Sequence, residues 1–337
     1  MTERKSARKK HWLIAAAVLV IAAVIGTIVY LSDDMRGRVT DPSVTPNVDD
    51  EELILLHEGR KYRLNDDLET VLIMGIDKTE QQTETAAEGG SVNHQQADFL
   101  LLLLLDEEKK TCIPLHINRD TMCTIWQLDI YGDPMTALNG QITLAHAYGS
   151  GGKDSCRNQV RAVSELLYDM KIDHYMSFTM DAVPIVNDSV GGVTVTVLDD
   201  MSAIDPELAE GQEVTLEGQQ ALTYVRARYD VGDATNLGRM ARQQQYMTAL
   251  REELVERSES NPNFVIKTLT SVSDMMLTDL SAYELSELSD ALTTYEFEDI
   301  QTIAGEAVKG ETFMEYYADE DALYQQVIDL FYVPVEE

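Results

Sequence analysis

The chain has 337 residues, 44% of them hydrophobic, with 26 Lys and Arg against 59 Asp and Glu, a formal net charge of −33. A chain of this length and hydrophobicity can bury a large core, which excludes disorder throughout. The strong acidity argues against nucleic acid as a partner. Three cysteines, Cys112, Cys123 and Cys156, are too few for a disulfide framework.

The N-terminal segment predicts a membrane anchor. Residues 13–31 carry no charge, and as a helix they would span roughly 28 Å, close to the thickness of a hydrocarbon core. Residues 1–12 contain five basic side chains and one acidic side chain. This flank predicts a single-pass protein of the cell membrane, with its N-terminus in the cytoplasm and its C-terminal domain outside. The alternative is a cleaved signal peptide, but the apolar run is longer than usual for one and lacks a small-x-small cleavage site.

Residues 32–52 are predicted to form an extended stalk, because they contain Pro42 and Pro46 and show no apolar periodicity. One globular domain, residues 53–337, should follow. It begins with a small hairpin turning at residues 58–60, since short apolar runs flank Gly59 there. Residues 78–96 are polar and are predicted to form a mobile loop.

Three apolar runs, residues 70–76, 99–105 and 111–117, are typical of strands buried on both faces. Only residues 106–110 join the second run to the third, too few for a crossover helix, so this pair should be antiparallel and the sheet mixed. Strands are also expected at 175–179 and 193–197. Helices are expected near 160–170, 218–226, 238–257 and 320–330, and Ser281 with Glu284 forms a capping box before another. The pattern predicts an α/β domain with helices on both sheet faces.

Two carboxylates stand at strand ends. Asp77 ends the first strand and Asp98 directly precedes the second, so both should lie at one rim of the sheet, where open α/β folds bind ligands. Two carboxylates with few competing ligands suit Mg²⁺, which completes its shell with water and substrate phosphate. An ordinary turn role is the alternative for each.

Arg119 and Asp120 follow the third strand and can reach the same rim. Arg119 could bind a phosphate bidentately, and Asp120 could orient it. The alternative is a purely structural ion pair.

An arginine cluster stands out in this acidic chain, because without residues 1–12 it has 21 basic and 58 acidic residues, a net charge of −37. Arg226 and Arg228 would align only on an extended segment, so the preceding helix should end there. Arg239 and Gln243 share a helix face. Such a grouping suits a diphosphate. Arg242 lies about 300° from Arg239 on an ideal helix, and its replacement by Lys is expected to be almost silent.

Seven segments in this order resemble the LytR-CpsA-Psr family of cell-wall glycopolymer transferases. They are VLIMGID (71–77), ADFLLLLLLD (97–106), INRDT (117–121), AHAYGSGG (145–152), VGGVTVTV (190–197), LEGQQALTYVRAR (216–228) and GRMARQQ (238–244). The resemblance implies an α-β-α sandwich with a central mixed sheet, preceded by one transmembrane helix. It also implies a Mg²⁺ cofactor, a polyprenyl-diphosphate-linked glycan as substrate and peptidoglycan as acceptor.

Carried over by motif, the resemblance makes Asp77 and Asp98 the Mg²⁺ ligands. The implied diphosphate-binding residues are Arg119, Arg226, Arg228, Arg239 and Gln243. The implied reaction is attack of a peptidoglycan sugar hydroxyl on the phosphorus nearer the glycan, with Asp98 or Asp120 as the general base beside Arg119. Two departures from the family pattern, Gln96 and Cys123, replace arginines found in other members.

Three other functions compete with transfer. A non-catalytic, membrane-anchored glycopolymer-binding or scaffold protein could keep the same fold, and a polyprenyl-diphosphate hydrolase would use water as the acceptor. A transcriptional regulator is disfavoured by the acidity and the extracytoplasmic placement of the domain.

Overall fold

A computed structural model describes residues 54–77, 92–228, 231–232 and 236–335. The predicted basic segment, membrane helix and stalk lie outside these residues, as does most of the predicted loop at 78–96. Within the described part of the chain, no helix is both long enough and apolar enough to cross a membrane.

The described strands, in chain order, are β1 (Leu55–His57), β2 (Arg60–Leu64), β3 (Leu68–Ile76), β4 (Ala97–Asp106), β5 (Thr111–His116), β6 (Met122–Leu128), β7 (Pro134–Gln141), β8 (His174–Thr179), β9 (Val193–Thr196), β10 (Glu213–Leu216), β11 (Met276–Thr278), β12 (Glu296–Phe297), β13 (Gln301–Thr302), β14 (Gly305–Lys309), β15 (Met314–Ala318) and β16 (Tyr332–Pro334). The described helices are α1 (Leu144–Ala147), α2 (Lys153–Leu166), α3 (Ala182–Ser189), α4 (Gln219–Arg226), α5 (Asn236–Ser260), α6 (Phe264–Ser271), α7 (Ala282–Thr294) and α8 (Glu320–Phe331), with a 3₁₀ turn at Ser273–Met275.

A mixed sheet forms the centre of the fold, in the order β11-β8-β3-β4-β5-β12, with β13 also pairing with β5. β3, β4 and β5 contain the three apolar runs. β4 is antiparallel to both β3 and β5, which confirms the prediction from the short 106–110 connection. β8 is parallel to β3, so the sheet is mixed as expected.

Helices cover both faces of this sheet. Successive side chains of a strand point to opposite faces, so the contacts of β4 show what packs on each face. On β4, Leu100, Leu102 and Leu104 pack in one cluster with residues of α2 and α8. Leu101, Leu103 and Leu105 pack in another cluster, which includes Leu288 and Ala291 of α7. The α/β layering predicted from continuous apolar strands is therefore confirmed.

A further apolar cluster joins the β9–β10 hairpin to α4 and α5, through buried residues that include Val193, Leu216, Tyr224 and Tyr246. This packing fixes α4 and α5 beside the sheet. The capping box of α7 is present, since Ser281 Oγ accepts from Glu284 N and Glu284 reaches back to Ser281 N.

Candidate active site

A polar cleft of about 540 Å³ lies at the end of β3. It brings together six of the eight site residues that the sequence predicts: Asp77, Asp98, Arg119, Arg226, Arg228 and Arg239. The other residues of its wall are Gln96, Ile204, Thr223 and Ala227. Residues up to 162 positions apart in the chain thus converge on one surface.

The two predicted Mg²⁺ ligands come from neighbouring strands. Asp77 follows the last residue of β3, and its backbone N–H donates to Gln96 O at 2.8 Å. In the β3–β4 ladder Gly75 pairs with Phe99 and Ile76 with Ala97, so Asp98 is the extra residue of a β-bulge. Bulges re-aim side chains and are frequent beside active sites. Here the bulge places Asp98 in the cleft wall.

Arg119 lies at the base of the cleft, and its side chain is 12% exposed. Its Nη1 donates to Asp98 Oδ1, and its Nη2 donates to Gln96 Oε1 at 2.5 Å. Its Nε is 3.3 Å from Asp120 Oδ1, an ion-pair contact without hydrogen-bond geometry. Two hydrogen-bond acceptors and the Asp120 carboxylate therefore surround the guanidinium and restrain its plane.

Arg239, on the first turn of α5, is only 5% exposed. Its Nη1 lies 3.5 Å from Asp98 Oδ2, and its Nη2 donates to Asn236 Oδ1 at 2.5 Å. Burial, partly offset by Asp98, lowers the pKa of Arg239 to about 10, so the side chain stays cationic at neutral pH. Its buried Nε has no hydrogen-bond partner within the described residues.

Arg226 and Arg228 border the cleft where α4 ends. Arg226 is the last helical residue, and Ala227 is extended, with φ −57° and ψ 135°. This geometry confirms the helix end predicted from the two-residue spacing. Arg226 Nη2 donates to Asp77 Oδ1 at 2.9 Å, and both side chains remain well exposed.

Asp120 lies behind Arg119 and is 4% exposed. Its Oδ1 accepts from Gln141 Nε2 at 2.9 Å, and its backbone N–H donates to Asn118 Oδ1. Burial raises the pKa of Asp120, and the neighbouring arginines counteract this effect. It lines a separate, very small cavity with Asn118 and Asn236. Asp120 is thus placed to orient Arg119.

Gln243 and Arg242 brace the segment that carries Arg226 and Arg228. Gln243 Nε2 donates to Val225 O at 3.1 Å. Arg242 is 1% exposed, and its guanidinium donates to Tyr224 O at 3.0 Å, to Ala227 O and to Asp199. Arg242 is therefore a structural residue, and it cannot be the silent control that its angular offset on α5 suggested.

An apolar groove of about 240 Å³ adjoins the cleft and shares Asp98, Arg226 and Arg239 with it. It runs between the sheet and the helices α3 to α7. Gln243 lines this groove instead of the polar cleft. Its apolar wall includes Ile73, Phe99, Phe178, Val183, Val186, Leu222, Met247, Leu250, Leu254, Val265 and Leu269.

Sequence reasoning did not identify the residues of this groove, nor Ile204 and Thr223 of the cleft, because groove walls and ordinary core residues have the same apolar spacing. A signal for Arg242 was present. It stands four residues before Tyr246 and eight before Leu250, both on the buried stripe of α5. That spacing indicates a buried arginine.

Two carboxylates of the cleft could contribute to a metal site. Among the described residues, no group of three or more His, Cys, Asp or Glu side chains is arranged to hold a metal. Asp77 and Asp98, however, both line the cleft, and Mg²⁺ typically takes one or two carboxylates plus substrate phosphates. The donor set fits Mg²⁺ bound alongside a phosphate.

Comparison with known proteins identifies similar transferases. The chain is 27% identical over 298 residues to the polyisoprenyl-teichoic acid–peptidoglycan teichoic acid transferase TagU of Oceanobacillus iheyensis, covering 87% of this chain and 84% of the relative. It is 27% identical over 275 residues to the corresponding transferase TagT of Bacillus subtilis, covering 77% of this chain and 76% of TagT.

The fold is similar to the crystal structure of B. subtilis TagV, with a TM-score of 0.57 and 26% identity over 78% of this chain and 96% of TagV. The LytR_cpsA_psr family model matches residues 40–329. These matches confirm the expected class of enzyme, a glycopolymer transferase. The chain belongs to the LytR-CpsA-Psr family.

Proposed function

We propose that this protein transfers a glycopolymer, joined through phosphate, from a polyprenyl-diphosphate carrier to a sugar hydroxyl of peptidoglycan. One observation carries the proposal: a cleft lined by four arginines opens into an apolar groove at Asp98, Arg226 and Arg239. A lipid diphosphate has the matching two-part chemistry, an anionic head on an apolar tail. The names of the similar transferases support the same assignment.

The arginines of the cleft now pair with carboxylates, and they would bind phosphate oxygens instead when a diphosphate enters. Arg226 contacts Asp77, while Arg119 and Arg239 contact Asp98. The Nε of Arg119 faces Asp120 at 3.3 Å, away from the cleft, so its terminal N–H groups are the ones that would meet a ligand. A phosphate would accept contacts from the terminal N–H groups of these planar guanidinium groups.

We propose Mg²⁺ as the cofactor, with Asp77 and Asp98 as its protein ligands. The bound ion would neutralise charge on the diphosphate and so assist departure of the leaving group. In that state the two carboxylates would bind the cation, and the arginines that now pair with them would bind the phosphates.

The chemical step joins the acceptor oxygen to the phosphorus nearer the glycan and breaks the bridging P–O bond, releasing polyprenyl phosphate. The chain positions the groups and stabilises charge that develops on the phosphate oxygens. Of the two candidate bases, Asp98 lines the cleft and is the one that can reach the acceptor, so we assign it to accept the hydroxyl proton on the carboxylate oxygen that would not bind Mg²⁺. Asp120, buried behind Arg119, orients that arginine.

Product analysis tests this function. The full chain in detergent would receive a synthetic polyprenyl-diphosphate-linked saccharide and a peptidoglycan oligosaccharide, with and without Mg²⁺, and products would be identified by mass spectrometry. The proposal predicts Mg²⁺-dependent, phosphate-linked saccharide on the acceptor together with polyprenyl phosphate. Free phosphosaccharide formed regardless of acceptor would indicate a hydrolase, and binding without turnover would indicate a scaffold protein.

We also propose that residues 13–31 anchor the protein in the cell membrane with residues 53–337 outside. The support is the uncharged run and the basic flank before it. Protease added to intact protoplasts should digest the globular part and spare residues 1–12. Protection of the globular part would contradict this topology.

A further inference from the structure

Gln96 contacts both Asp77 and Arg119 in the polar cleft. Its backbone carbonyl accepts from Asp77 N at 2.8 Å, and its side-chain Oε1 accepts from Arg119 Nη2 at 2.5 Å. The side chain is partly buried and lines the cleft. One uncharged residue thus connects a predicted metal ligand to a predicted phosphate-binding arginine.

The contact with Arg119 fixes which way the amide of Gln96 faces. A guanidinium has five N–H donors and no acceptor, so only the oxygen of the amide can face it. The NH₂ group of Gln96 can consequently donate to a different acceptor. Within the described residues no hydrogen bond engages it, and the cleft that Gln96 lines is where a ligand would meet it.

The same contact organises the donors of Arg119. Gln96 and Asp98 each take one terminal N–H, and the Nε faces Asp120. One N–H remains on each terminal nitrogen. Each of these N–H groups can donate to a phosphate oxygen.

We propose that Gln96 is a positioning and specificity residue for the proposed transfer reaction. Its oxygen holds the Arg119 plane, and its NH₂ group donates to a phosphate oxygen of the lipid diphosphate. The inference rests on the proposed function. A neutral side chain suits both tasks, because a carboxylate here would join Asp77 and Asp98 beside an anionic ligand.

The two tasks separate in two variants of Gln96. Gln96→Met keeps the length but removes acceptor and donor, so kcat should fall about tenfold or more, the effect of losing a hydrogen bond to a charged group. Gln96→Glu keeps an acceptor for Arg119 but loses the donor and adds a negative charge. Its kcat should stay within about threefold, while its KM for the polyprenyl-diphosphate saccharide rises about tenfold or more.

Gln95 provides a matched control. It is the adjacent glutamine, but its side chain lies beside Gly151. Gln95→Met should leave both kinetic constants within about twofold of the wild-type values. Binding of farnesyl diphosphate, measured by calorimetry, should weaken in Gln96→Glu and stay unchanged in Gln95→Met.

Arg119→Lys separates a failure of this inference from a failure of the proposed function. If Arg119→Lys impairs transfer but both Gln96 variants match the wild type, Gln96 has no role and the inference is overturned. If the wild-type protein itself performs no transfer, the proposed function fails instead. Should Gln96→Met not fold, a normal KM in Gln96→Glu would still overturn the inference.

Discussion

Replacing Arg242 by Lys should destabilise the whole domain. The guanidinium is buried and donates to three acceptors, Tyr224 O, Ala227 O and Asp199. A lysine ammonium cannot reproduce this planar arrangement and should lose at least two of the three contacts. At about 1.5–3 kcal/mol for each hydrogen bond to a charged group, the loss is about 3–6 kcal/mol. Domains have total stabilities of about 5–15 kcal/mol, so this loss is large.

The assay is thermal melting of the purified full chain, followed by the transfer reaction. A loss of this size should lower the melting temperature by roughly 5–10 °C. Transfer should also fall, because Tyr224 and Ala227 flank Arg226, which borders the cleft. Arg157→Lys, at an exposed position of α2, is the matched control and should melt like the wild type. An Arg242→Lys protein that melts within about 2 °C of the wild type would refute the structural role.

The remaining predictions concern separate parts of the domain. Asp77→Ala and Asp98→Ala should each abolish Mg²⁺-dependent transfer at saturating Mg²⁺, and near-normal turnover of either variant would show that its aspartate is only a turn residue. Asp77 is 37% exposed, so its variant should melt close to the wild type. Asp98 is 11% exposed and pairs with the buried Arg119 and Arg239, so its variant should melt at a lower temperature. Burial raises the pKa of Cys112 and Cys123 to about 12, so these thiols stay protonated at pH 8. They should react with a disulfide reagent only after denaturation. Rapid reaction of the native protein would contradict this prediction. Ser281→Ala removes the α7 cap and should cost about 1 kcal/mol in denaturant unfolding, whereas an unchanged midpoint would show the cap to be dispensable.

Much of the fold could be predicted because its central strands are buried on both faces. Such strands appear in the sequence as continuous apolar runs, and the short 106–110 connection determined that β4 and β5 are antiparallel. The end of α4 at Arg226 also followed from local reasoning, since Arg226 and Arg228 can face one site only if the chain is extended between them.

The rest depended on contacts between distant segments. The bulge at Asp98 arises from the β3–β4 register, which side-chain periodicity does not reveal at a strand end. Arg242 belongs to a cluster of similar residues, and its contacts with Tyr224 O, Ala227 O and Asp199 distinguish it from Arg239 as a structural residue. Gln96 departs from the family pattern in the sequence, but its contact with Arg119 joins two segments of the chain that only the fold brings together.

The central claim is that one continuous site binds both parts of a lipid diphosphate. A crystal structure of the protein with farnesyl diphosphate and Mg²⁺ tests it most directly. We expect the diphosphate within hydrogen-bonding distance of Arg119, Arg226 and Arg239, with the farnesyl chain in the apolar groove between the sheet and α5. A diphosphate bound away from these arginines, or a farnesyl chain outside the groove, would contradict it.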